Sequence, residues 1–161
     1  MWSAGFQPSG AESDSYNVAF NEDRAEITRK DGALTTTLDV LVSAEDDAEV
    51  RRVSIANAGD RVREIDVTSY AELVLAPQAD DVAHPAFMKL FVATEYLPAQ
   101  GILLATRRRR VPGEREIWAA HVANVDGEAV GKPEVETDRA RFLGRGYGIR
   151  RPIAVVDGRP L

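Results

Sequence analysis

At 161 residues, 44% of them apolar, the chain can bury the core of one globular domain, and a second independent domain is not expected. It has no cysteine, which excludes disulfide staples and thiolate metal sites and makes the cytoplasm the expected compartment. A net charge of −6 repels polyanions, so no nucleic-acid partner is expected, and no apolar run approaches the ~20 residues of a membrane helix.

Alternation of apolar and polar residues predicts strands along most of the chain, starting with 16–20 and 24–29. In 34–42 (LTTTLDVLV), positions 34, 36, 38, 40 and 42 share one face, and Thr35, Thr37 and Asp39 take the other. A further strand is expected at 49–56, after the acidic connection 43–47. Segment 62–75 reads as a long strand, with Ile65, Val67, Ala71, Leu73 and Leu75 opposite Glu64, Asp66, Thr68, Tyr70 and Glu72. Residues 76–87 form a loop with one helical turn, and strands follow at 88–96, 101–108, 116–124 and 133–138. Gly-, Asn- and Pro-bearing turns separate them at 30–32, 57–60, 97–101, 111–113 and 126–127. Nine or so strands without helical periodicity define an all-β, antiparallel β-sandwich occupying 1–161 as one domain. The bare ends read as those of an excerpt from a larger multidomain protein.

Few residues suggest chemistry. His84 and His121 are far apart in sequence, with no cysteine to join them, so no metal site is expected. No serine lies in a Gly-x-Ser-x-Gly elbow, and the acidic clusters 45–47 and 80–81 fall in loops where carboxylates are solvated. Positive charge is nearly all guanidinium, since Lys30, Lys89 and Lys132 are the only lysines; a GC-rich genome gives the same composition. In the run 107–110 (RRRR), alternation places Arg107 and Arg109 on one face and Arg108 and Arg110 on the other. These arginines are expected to be solvated or ion-paired, with Asp80 and Asp81 as local partners, or to meet an acidic neighbouring domain.

The stretch 138–147 (DRARFLGRGY) differs from the rest. Gly144, Gly146 and Gly148 allow close backbone approach, Phe142 and Leu143 can anchor a loop, and Arg145 with Tyr147 can present donors and a stacking face. A ligand or interface loop and a structural crossover between sheets both fit these residues.

Blocks along nearly the whole chain carry a family resemblance: 2–10 (WSAGFQPSG), 31–40, 49–57, 67–72 (VTSYAE), 84–87 (HPAF), 89–92 (KLFV), 103–108, 118–121 (WAAH) and 138–145. Together they resemble the N-terminal β-sandwich of the inverting disaccharide phosphorylases, glycoside hydrolase family 94, formerly glycosyltransferase family 36. Within that family the likeness is to the phosphorylase-like part of bacterial cyclic β-1,2-glucan synthases.

The resemblance implies part of a galactose mutarotase-like β-supersandwich. Its companion (α/α)6 barrel, absent here, holds the catalytic Asp and the phosphate-binding groups, so this chain is not catalytic alone. The partners implied are a glucan or oligosaccharide, that barrel and a second copy in a homodimer. Cofactors are none, with inorganic phosphate as co-substrate of the parent enzyme, and the parent is anchored in the inner membrane through other segments. A substrate-binding or interface role falls on Asp138, Arg139, Arg145 and Tyr147, while Met88 and Tyr147 depart from the family pattern. The alternative is a self-standing carbohydrate-binding or protein-interaction sandwich with Trp2, Trp118 and Tyr147 as its platform. An incompletely folded piece is a third reading.

Overall fold

The computed structural model describes residues 1–109 and 111–158. The described residues form two compact units, Met1–Asp66 together with 140–158, and Val67–Arg139. Each is built on one antiparallel sheet, as an all-β fold requires.

The first sheet is a four-stranded meander of β1 (Ser15–Phe20), β2 (Arg24–Asp31), β3 (Leu34–Val42) and β4 (Glu49–Asn57), in chain order. The β2–β3 hairpin closes at Asp31↔Leu34 around Gly32, whose φ of 59° lies in the left-handed region that glycine enters without a Cβ clash. Cross-strand register places Val18, Ile27, Leu38 and Val53 in one row, and Phe20, Ala25, Val40 and Arg51 in the next on the same face. The opposite face is polar, with Thr28 against Thr37 and Asp39 held by Arg52 Nη2 at 2.9 Å.

One end of the apolar face is covered by the N-terminal segment through Arg29. Its side chain is fully buried and makes five hydrogen bonds: Nε and Nη2 to the Asp31 carboxylate, both 2.7 Å, Nη1 to Ser3 O at 3.0 Å, and Nη2 to Ala11 O and Glu12 O at 3.4 Å. The Asp31 bond holds the guanidinium above its usual pKa and, reciprocally, the Asp31 carboxyl below its own. Trp2 Nε1 donates to Thr36 Oγ1 at 3.4 Å, and the Tyr16 hydroxyl accepts from Phe6 N at 3.2 Å. The other end of the face is open, and Phe20 is 82% exposed.

The second sheet has the order β5 (Val92–Leu97), β6 (Ile102–Arg107), β7 (Trp118–Val122). Before it come two short helices, α1 (Gln78–Ala83) and α2 (Pro85–Lys89), in place of the expected loop with one turn and of the start of the strand at 88–96. His84 stands between them at φ −145°, because the proline that follows disfavours helical geometry there, while Pro85 is itself well suited to begin α2. His84 therefore positions this region through its backbone: its N–H donates to Asp80 O and its C=O accepts from Met88 N, each at 3.0 Å.

The strands expected at 62–75 and 133–138 do not form. Alternation gives a segment two faces but no ladder partner, and 62–75 has neither helix nor strand, with Leu75 at φ 48°, outside extended geometry. Segment 133–138 meets β5 by a side chain, Thr94 Oγ1 to Thr137 Oγ1 at 3.0 Å, rather than by a backbone ladder. Two further helices, α3 (Arg139–Leu143) and α4 (Ile153–Val156), complete the described residues. No helix among them is long and apolar enough to cross a membrane.

Candidate functional site

The arginine run divides by environment rather than simply by alternation. Arg107 is buried within the second unit: Nη1 lies 3.5 Å from Glu114 Oε1, Nη2 donates to the Met88 thioether at 3.4 Å, and the guanidinium carbon is 5.9 Å from the centre of the Phe91 ring. Its Nε is buried without a hydrogen-bond partner among the described residues. Arg109 is exposed and pairs with Glu116 at 3.2 Å. Arg107 and Arg109 thus take acidic partners from beyond the turn at 111–113, and the expected pairing with Asp80 and Asp81 does not form for them. Arg108 is exposed and reaches Leu90 O at 3.5 Å, while Arg110 lies outside the described residues.

The expected loop 138–147 begins as a helix. Arg139 opens α3, Phe142 and Leu143 at its end are buried, and Gly144 N donates to Ala140 O at 2.9 Å. At Gly144, φ is 80°, and an added Cβ would lie 2.7 Å from Ile153 Cγ2, so both conformation and space demand glycine. Beyond it Arg145 and Tyr147 are solvent-accessible, and Gly146 also has positive φ.

The four candidate residues are divided between the units. Arg145 and Tyr147 belong to the first, Asp138 and Arg139 to the second. Asp138 N donates to Glu136 Oε1 at 2.8 Å.

Arg139 belongs to a cluster that sequence spacing did not reveal. The Glu72 carboxylate accepts from Tyr70 Oη at 2.7 Å and from Arg139 Nε at 2.9 Å through Oε1, and from Lys89 Nζ through Oε2. With Lys89 as the strongest contributor, then Tyr70 and Arg139, the three donors hold the Glu72 carboxyl down at about 2. Burial, followed by the bond to Glu72, pushes the Tyr70 hydroxyl up, and the Glu72 bond raises Arg139. Glu72 is therefore ionised at neutral pH and acts as an acceptor that fixes donors, not as a proton donor. The cluster joins the blocks 67–72, 89–92 and 138–145, three of those that carry the family resemblance. Among the described residues no group of His, Asp and Glu is arranged to hold a metal ion.

Two antiparallel sheets with few helices define an all-β module. The supersandwich-domain model of glycosyl hydrolase family 94 matches residues 1–161, and the chain belongs to that family. It is 38% identical over 160 residues to cyclic beta-(1,2)-glucan synthase NdvB of Rhizobium meliloti (strain 1021). The alignment covers 99% of this chain and 6% of that relative.

Proposed function

We propose that this chain is the non-catalytic scaffold and glucan-contacting sandwich of an enzyme like the cyclic β-1,2-glucan synthases or the related β-glucan phosphorylases. The observation that carries the reading is the match to the supersandwich domain over residues 1–161. Glucan contact is supported by the exposed Arg145 and Tyr147, which offer a guanidinium donor set and an aromatic face to a neutral ring. In the parent, phosphate attacks the anomeric carbon of a β-linked glucan end with inversion and releases glucose 1-phosphate, on groups of the (α/α)6 barrel; this rests on family analogy. The barrel and a second copy of the chain are the protein partners in this reading. The module lies in the cytoplasm, with the parent anchored in the inner membrane elsewhere.

The test is an amide NMR titration of the chain with β-1,2-gluco-oligosaccharide, with glucose 1-phosphate release assayed in parallel. Shifts at 145–147 that vanish in Arg145→Ala, with no phosphorolysis, are expected. An unresponsive spectrum overturns the glucan contact, and phosphorolysis by the chain alone overturns the non-catalytic role. Trp118, 54% exposed on the edge strand β7, favours the second reading of a self-standing carbohydrate module, which predicts shifts centred there instead. Trp2, half-buried and bonded to Thr36, is a poor member of such a platform.

A further inference from the structure

The Glu72 cluster has features that a purely structural ion pair does not need. Glu72 engages Arg139 through Nε, the inner nitrogen of the guanidinium. The Arg139 side chain also interacts with the Tyr70 hydroxyl and is 61% exposed. Lys89 and Glu72 side chains are themselves about one-third open, at 35% and 30%. The guanidinium is thus tethered at its base while most of its side chain stays exposed, with a second cationic donor bonded to the same carboxylate. Tethering matters because a free arginine loses substantial rotamer entropy when it grips a ligand, and a pre-oriented one loses less.

Charge narrows the ligand. Glu72 offsets one of the two cations, so the cluster carries about one net positive charge rather than the two or more that oxyanion clamps collect. Its Oε1 already accepts two hydrogen bonds, so the surplus capacity is in N–H donors that point to acceptor oxygens on a weakly charged or neutral partner. Adjacent hydroxyls on a pyranose ring match a guanidinium fork in this way.

We infer that Tyr70, Glu72, Lys89 and Arg139 form a saccharide subsite, in which the Arg139 fork donates to a vicinal hydroxyl pair of a glucan and Glu72 is the positioning residue that aims it. The inference rests on the glucan reading above and adds to it a contact in the Val67–Arg139 unit, separate from the Arg145–Tyr147 loop.

The experiment is the same oligosaccharide titration, read residue by residue on the wild-type chain and on Arg139→Lys, Glu72→Gln and Arg145→Ala. Arg139→Lys keeps the charge and removes the fork. It is expected to abolish the shifts at Tyr70, Glu72 and Lys89 and to weaken binding about ten-fold, the scale of a lost charge-assisted hydrogen bond. Glu72→Gln is expected to weaken binding in the same direction with a still dispersed spectrum, and Arg145→Ala to leave the shifts at 70, 72 and 89 in place. Because the ligand is neutral, raising the salt to about 0.5 M is expected to change its affinity less than about two-fold. Shifts confined to 145–147 overturn this subsite and leave the glucan reading standing; shifts at the four residues alone support the subsite and overturn the Arg145–Tyr147 contact, and no shifts at all overturn the glucan reading itself. A response of the four residues to inorganic phosphate but not to oligosaccharide overturns it in favour of an oxyanion site.

Discussion

Two buried arginines, one in each unit, show opposite ways of placing a guanidinium under a sheet. Arg29 has five hydrogen bonds to a carboxylate and three backbone carbonyls, and it ties the N-terminal segment to β2. Arg107 is nearly as buried, yet among the described residues it has one long ion pair, a thioether, the neighbourhood of an aromatic ring and an unpartnered Nε. Removing water from a charge is costly in both places, but only Arg29 recovers that cost through a full set of acceptors. Burial alone therefore does not make an arginine a structural keystone; the number and quality of its acceptors does.

The comparison breaks most directly at Arg29. Arg29→Ala leaves Asp31 and three carbonyls without their donor and is expected to cost about 3–5 kcal/mol in chemical denaturation, with hydrogen-exchange protection lost across residues 2–13. A loss under about 1 kcal/mol would show that the acceptors are satisfied by water and that the contrast with Arg107 is empty. Next in size is Gly144→Ala, where the Ile153 clash and the positive φ are expected to remove about 2–3 kcal/mol, measured in the same assay.

A smaller effect is expected for the Glu72 cluster. A carboxyl held at about 2, below its ordinary 4.5, contributes stability that is fully present above about pH 4.5 and is lost as pH falls toward 2. Glu72→Gln should flatten that part of the acid-stability profile, and an unchanged profile would mean that the cluster adds nothing to folding. The sharpest comparison is Arg107→Met. Because its acceptors are few, an apolar side chain of similar length is expected to be neutral or to stabilise by about 1 kcal/mol, whereas Arg29→Met destabilises. Equal losses at the two sites would refute the distinction. Smallest is Arg145→Ala, expected to change stability by under about 0.5 kcal/mol.

The legible parts of the fold were those in which a local pattern and a local turn agreed. β2, β3 and β4 were readable because alternation, the Gly32 turn and the acidic 43–47 connection all belong to neighbouring hairpins. Segment 62–75 alternates just as well, but alternation carries no information on which edge, if any, will accept a strand. His84-Pro85 was a stronger local signal than the apolar run after it, and it turned the start of the expected strand at 88–96 into α2. The close approach at Gly144 was readable from the glycines of 144–148, whereas the exposure of Arg145 and Tyr147 was not, because a ligand loop and a buried crossover use the same residues. The Glu72 cluster was not, since Glu72 and Arg139 lie 67 residues apart and Glu72 and Lys89 17 apart, and no spacing rule links them. Arg29 was missed for the same reason: its carbonyl partners come from a segment with no regular secondary structure.

The two tryptophans of the sequence lie in different units, Trp2 half-buried in the first and Trp118 exposed on β7 in the second. The protein therefore carries two native optical reporters with contrasting surroundings. Trp118→Phe leaves emission from the first unit alone and Trp2→Phe from the second alone, so two single-colour melting curves reveal whether the halves unfold together or one after the other.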